Sequence, residues 1–580
     1  MYYLHAFSQL EKKKWVVRVL LALILCLGLV IRLFGLEQLR LTQDEMSIGY
    51  NAFSIAQSGQ DEWGQRFPLV FKAFGDWKLP GYIYSSVPFV SLFGLSNLSV
   101  KLPSLLAGMV LIWGLYLLVS KITDNHWLGL IAALITSLSP WSIHLSRMGF
   151  ESSLALAIFI LGLICLIKLI EVKKRWQLWA VLAGLFFSLT LYTYVAYRLF
   201  IILFLATTVI LSWFYKVEKK KLITLIISFS LFLLPILPMF LGQAGTARFS
   251  QVGIFSDTGV VAQIDQRRSY CYLIDQKILP KICQLVFHKP QVYLERFVGN
   301  YLQFILPSFL FLEGDKLEYL SDPGFGEFVW VLLPFYLIGL IGFLKRKDLG
   351  SQILKVGFLL SPIASALVGE PQIVRGSSLL PFVIIFVTYG FKEVWDLLEN
   401  KMVRIVGGVA VVGLFSFLTI NFLVHYLFIY PREFQAYFFP MGSAPANFIL
   451  ENYQNYDAIY FTDDFSDAHI LMAFLAQYDP TWYRQNIIYP QADKFGFQHP
   501  TKLGKFIFGA RQGQTFLCHQ EKRTGKMLYV TGPTEDLPYT NSFTGFSGVH
   551  TQVKIVDLDK VEANLKQEQL WETTCGSATK

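Results

Sequence analysis

Residues 12–34 read KKKWVVRVLLALILCLGLVIRLF, and residues 41–46, just beyond them, read LTQDEM. About 20 mostly apolar residues are enough for a helix to cross the hydrocarbon layer, and the run from Trp15 to Phe34 supplies them. Lys12, Lys13 and Lys14 stand before it. A cleaved signal peptide would have a shorter apolar core and a small-residue cleavage site, and neither is evident. The run reads as a retained first span with a cytoplasmic N-terminus. The acidic pair Asp44-Glu45 then falls where the chain has just left the bilayer.

The rest of the chain extends this reading. Of 580 residues, 54% are hydrophobic, 16% aromatic and 16% charged, with 51 Phe and 28 Tyr. Soluble proteins carry about 25% charged residues, and the mean hydropathy here is +0.46. Further spans are predicted to start near Leu102, Trp127, Ser152, Leu178, Phe200, Leu222, Phe328, Ile353, Leu379 and Ile405. The prediction is an all-α polytopic membrane protein of about eleven transmembrane helices. Basic clusters at Lys173-Lys174-Arg175, Lys216 with Lys219-Lys220-Lys221, Lys345-Arg346-Lys347 and Lys392 to Arg404 fall in alternate loops, on the side of the N-terminus. That is the asymmetry which orients membrane proteins. It accounts for the formal charge of +9 without a nucleic-acid partner.

An odd number of spans puts the tail outside. The expected division is therefore a membrane domain over 1–430 and an extracytoplasmic soluble α/β domain over 431–580. In the tail, strand-like runs at Ala458–Phe461 and Met527–Thr531 alternate with a helical stretch at Ala468–Ala476. Two external loops, about 35–101 and 242–327, are too long to be simple connectors. The first contains LPGYIYSSVPFVSLF (79–93), too short and too Pro-broken for a span and suited to the interface. The second carries an aromatic stretch, 293–312, expected to be interfacial or re-entrant. Cys271 and Cys283 share the second loop, and Cys518 and Cys575 share the tail. Both pairs are disulfide candidates in an oxidising compartment. Cys518-His519 has no second pair at metal-ligand spacing.

Charged groups beside a bilayer are costly and point to function. After the acidic pair come Asp61-Glu62-Trp63 and then Gly75-Asp76-Trp77-Lys78-Leu79-Pro80. Singly, each reads as solvated loop, and Asp44 also suits the N-cap of a helix over 45–57. Together they set a base and a cation at the membrane surface, where a lipid phosphate would sit.

Three motifs carry a resemblance: Asp44-Glu45 after the first span, Lys78-Leu79-Pro80-Gly81-Tyr82, and Lys101-Leu102-Pro103-Ser104 opening the next span. The run resembles the first external loop of the GT-C superfamily of integral membrane glycosyltransferases. The closer match is the branch of protein O-mannosyltransferases and lipid A aminoarabinose transferases, from which Leu79 and Lys101 depart. Further matches are Ser146 to Glu151, Tyr192 to Tyr194 with Tyr197-Arg198, and Arg375-Gly376.

The resemblance implies a GT-C-like fold and transfer of a sugar from a polyprenyl-phosphate carrier to an acceptor hydroxyl on the outer face. The acceptor would be a glycan, a glycolipid or a protein, and the step a single displacement. Asp44 is then the base, with Glu45 beside it. Lys78, Arg147, Arg198 and Arg375 would meet the donor phosphate, the arginines having snorkelling at helix ends as an equal alternative. Asp76 and Glu151 would contact sugar, pair the cations or bind a divalent ion, a cofactor the resemblance leaves open. Trp77, Tyr82 and Tyr194 would stack on sugar or lipid, where an interfacial belt is the simpler reading. The competing function is a transporter or flippase of lipid-linked saccharides. Such proteins show repeated halves and mid-membrane charge; here charge gathers at one face and no halves match.

Overall fold

The computed structural model describes residues 14–73, 77–241, 253–257, 259–273, 279–434, 441–465, 467–493, 497–535, 537–543 and 553–575. Among them, nine helices are long and apolar enough to cross a membrane: Trp15–Gln38, Asn97–Thr123, Glu151–Glu171, Trp176–Thr193, Ala196–Phe214, Lys219–Met239, Leu349–Ala366, Ser377–Leu397 and Lys401–Glu433. A tenth is a broken pair, His126–Leu138 and Pro140–Arg147, bent by 57°. The break has a local cause. Pro140 has no N–H to continue the helix, and the Ser139 hydroxyl caps the new one by accepting from Ser142 N at 3.1 Å.

The eleventh expected span, from Phe328, is a shorter apolar helix, Trp330–Leu344. It lies close against the helix Leu380–Leu397. A Cβ on Gly339 would run into the Phe386 carbonyl, and one on Gly390 into that of Phe335. Small residues let helix backbones approach in this way.

The chain divides into two compact units. One comprises Met1–Phe34 and Pro103–Leu423, the other Gly35–Leu102 and Val424–Lys580. This cut differs from the 1–430/431–580 division of the sequence reading, because the first long loop packs with the tail. In the membrane unit, Arg32 is fully buried and ties the first helix to the broken pair, donating to Gly28 O, Ser137 O and the Ser142 hydroxyl at 3.1, 3.1 and 2.8 Å. The second long loop is helical over Gly259–Tyr272, Leu279–Val286 and Lys289–Ile305, with a disulfide between Cys271 and Cys283.

The second unit holds a two-stranded hairpin, β1 (Phe71–Lys72) and β2 (Trp77–Lys78), paired Phe71 to Lys78 and Lys72 to Trp77. It also holds a seven-stranded sheet built from β3 (Ala458–Thr462), β4 (Ile487–Ile488), β5 (Lys502–Leu503), β6 (Phe506–Gly509), β7 (Met527–Thr531), β8 (Asn541–Phe543) and β9 (Val553–Asp557), in the order 4-5-6-3-7-9-8. β3 runs parallel to both β6 and β7. Every residue of β3 and β7 is buried, as strands covered on both faces must be. The alternation of strand and helix predicted for the tail is present, with its helix at Ala468–Ala476. Cys518 and Cys575 are joined.

Candidate active site

The helix Gln43–Ser58 begins in a capping box. The Thr42 hydroxyl accepts from Glu45 N at 3.3 Å, while Glu45 Oε2 accepts from Thr42 N and the Thr42 hydroxyl at 2.8 and 3.0 Å. This corrects two expectations. Thr42, not Asp44, is the N-cap. Glu45, expected to share the catalytic role, is fully buried with its carboxylate on the helix end.

Asp44 sits one residue earlier, in the first turn, where a carboxylate gains from the helix dipole. Its side chain is 66% exposed, and Lys78 Nζ donates to its Oδ1 at 2.6 Å. The Lys78 side chain is only 4% exposed. A buried ammonium is stable only when paired, and the hairpin aims Lys78 at the helix start.

Within reach of the Lys78 charge lies a carboxyl that the sequence disguised. Glu62 belongs to the acidic run 61–62, which looks solvated on paper, yet it is buried. Asn51 Nδ2 donates to its Oε1 at 3.2 Å, and Glu62 N donates to Asn51 Oδ1 at 3.1 Å. Burial pushes its pKa up to about 8, partly offset by the Asn51 bond and the Lys78 charge. Burial also raises Asp61.

The other expected site residues are placed differently. Arg147, Glu151, Tyr194, Arg198 and Arg375 all belong to the membrane unit. Arg147 is buried, and its Nη1 reaches the carbonyls of Ile31, Arg32 and Phe34 at 2.7, 3.3 and 2.6 Å, closing the end of the first helix. That nitrogen is engaged by carbonyls that the helix itself cannot satisfy. Arg198 Nη2 contacts Met239 Sδ at 3.0 Å. Arg375 is half-buried, and its charge tempers the burial that raises Asp315 to about 6. Asp315 in turn accepts from Leu317 N and Ile373 N at 2.9 and 2.8 Å. Glu151 is the first residue of its helix, and Tyr194 caps another.

Tyr82 is corrected as well: it is fully buried with its hydroxyl on Val100 O at 3.0 Å. A ring without an exposed face cannot stack on a substrate. Trp77 stays partly exposed, 6.4 Å from the Phe497 ring. Asp76 lies outside the described residues. Among the described residues, no group of three or more His, Cys, Asp or Glu is arranged to hold a metal ion.

The whole fold is similar to that of ArnT from Cupriavidus metallidurans, solved bound to undecaprenyl phosphate. The TM-score is 0.53 at 12% identity, over 94% of this chain and 98% of that one. It is also similar to the Archaeoglobus fulgidus oligosaccharyltransferase tethered with an acceptor peptide, with TM-score 0.50 and 14% identity over 80% of this chain and 63% of the other. Both likenesses are likenesses of fold. Residues 80–239 match the model of the dolichyl-phosphate-mannose-protein mannosyltransferase family. The matched region contains Arg147, Glu151, Tyr194 and Arg198 and starts two residues after Lys78. No curated protein matches the chain.

Proposed function

We propose that the protein transfers a sugar from a polyprenyl-phosphate donor to an acceptor hydroxyl at the outer surface of the membrane. The observation that carries this reading is the Asp44–Lys78 pair, an exposed carboxylate held at 2.6 Å by a buried ammonium. A hydroxyl is a poor nucleophile at neutral pH and needs a positioned base. Asp44 takes the acceptor proton as the acceptor oxygen attacks the anomeric carbon. The bond from that carbon to the phosphate oxygen breaks, and the electron pair leaves with polyprenyl phosphate. Lys78 turns from the carboxylate to the departing phosphate, a charge-assisted contact that strengthens as charge builds. One displacement of this kind inverts the anomeric centre.

The likeness to a structure bound to undecaprenyl phosphate and the mannosyltransferase match support a lipid-linked donor. The basic loops support a cytoplasmic N-terminus, which puts the end of the first span, and Asp44 with it, outside.

The test uses purified protein in lipid with a panel of polyprenyl-phosphate sugars, following released polyprenyl phosphate by mass spectrometry. Release that Asp44→Asn abolishes supports the reading and reveals the sugar. Equal release by the variant removes Asp44 as base. Lipid-linked sugar crossing the bilayer chemically unchanged would transfer the case to a flippase.

A further inference from the structure

Phe474, Tyr478, Tyr483, Arg484, Tyr489 and Gln498 of the tail touch the two pieces of chain that carry the Asp44–Lys78 pair. On the helix side, Gly49 leaves no room for a side chain: a Cβ there would lie 2.6 Å from Val100 Cγ2 and 2.8 Å from Phe474 Cε2. One residue on, Tyr50 is fully buried, donates its hydroxyl to Tyr478 O at 3.0 Å and packs its ring 5.0 Å from that of Tyr483. These contacts hold the helix whose first turn presents Asp44.

On the hairpin side, Arg484 Nη1 donates to Asp61 O at 3.2 Å and reaches the Ser54 hydroxyl at 3.4 Å. Asp61 organises a tight turn, its Oδ1 accepting from Trp63 N and Gln65 N at 2.9 and 2.8 Å. From that turn, Trp63 Nε1 donates to Lys72 O at 2.9 Å, while its ring stacks 4.1 Å from Tyr489. Lys72 Nζ donates to Gln498 Oε1 at 2.6 Å. Lys72 lies on β1, which pairs with the strand that ends in Lys78.

We propose that the tail is a positioning element of the active site, with Arg484 its principal positioning residue. It sets the distance between the Asp44 carboxylate and the Lys78 ammonium by fixing the helix and the hairpin to one body. The catalytic significance of that distance rests on the sugar-transfer reading above; the distance itself does not. Arg484 donates to both the helix (Ser54) and the turn (Asp61), and so adds to the Asn51–Glu62 bonds that join them a tie to the tail.

The experiment reads geometry and turnover separately, in the full chain in lipid. The double variant Asp44→Cys, Lys78→Cys is treated with a short thiol cross-linker, and the linked peptides are quantified by mass spectrometry. Adding Arg484→Ala is expected to lower cross-link yield severalfold with Tm little changed, and Arg484→Lys to restore part of it. In the otherwise native chain, Arg484→Ala is expected to lower kcat about tenfold or more at saturating undecaprenyl-phosphate sugar with KM less affected, since small misplacements of reacting groups are costly. Should Arg484→Ala fail to fold, Tyr50→Phe and Gln498→Ala each remove one hydrogen bond to the same ends. Cross-link yield that stays unchanged in all folded variants overturns the proposal. If Asp44→Asn retains turnover while yield still falls with Arg484→Ala, Asp44 is not the base and the positioning role of the tail stands; if no donor is turned over while yield still falls, the sugar-transfer reading fails and the positioning role stands.

Discussion

Lys78 and Arg147 are both buried cations, one in each unit, and on paper they are interchangeable partners for a phosphate. Their partners separate them. Lys78 bonds a carboxylate that is two-thirds exposed, an anion that an incoming phosphate can replace at little structural cost. Arg147 bonds three main-chain carbonyls at a helix end, which have nowhere to go if it leaves. On the sugar-transfer proposal, the cation whose partner can be exchanged serves binding and the one whose partners cannot serves structure.

The strongest way to break this comparison is to remove the carboxylate. Asp44→Asn keeps the shape of the pair but not the base, and transfer is expected to fall about 10²–10⁴-fold with Tm near that of the wild type. Normal turnover would leave Lys78 no more functional than Arg147.

The cations can then be set against each other. A bond to a charged group contributes about 1.5–3 kcal/mol, so Lys78→Ala is expected to raise the donor KM about ten- to hundredfold. Arg147→Ala should take a similar about 1.5–3 kcal/mol from stability instead, seen as a lower Tm with donor KM retained. The reverse pattern would exchange the two roles.

Smaller effects sharpen the contrast between neighbouring acids. Thr42→Ala removes one half of the capping box and is expected to cost about 1 kcal/mol of stability, without the loss of turnover that marks Asp44. Glu62 titrates in the folded protein at about 8, well above its ordinary value of 4.5. Between those values the folded state holds a proton that the unfolded state has lost, so this carboxyl makes stability fall as pH rises from about 4.5 to about 8. Tm measured against pH for Glu62→Gln should lack that part of the wild-type slope. Superimposable profiles would mean Glu62 is solvated.

How much of this was legible beforehand follows from the range of the interactions. Ten of the eleven predicted span starts fall on a helix and Phe328 lies two residues before one, because about 20 apolar residues in a row leave a chain few alternatives in a bilayer. The shortened eleventh helix and the break at Pro140 are refinements, and the second could be read from proline alone. The tail's strand–helix alternation was equally visible, since burial on both faces leaves continuous apolar runs such as Met527–Thr531. Asp44 and Lys78 stood out as charges at the end of a span. Their adjacency did not, being a bond across 34 residues.

What the sequence alone determined was which segments enter the membrane and which residues bear charge beside it, since hydropathy and residue type are local properties. Tertiary structure alone decided that Glu45 caps a helix while Asp44 faces solvent, that Tyr82 is core, that Glu62 is buried within reach of the Lys78 charge, and that the loop 35–102 and the tail form one unit. Neighbours in a sequence can differ wholly in burial, and burial and partner, rather than residue type, set what a charge can do.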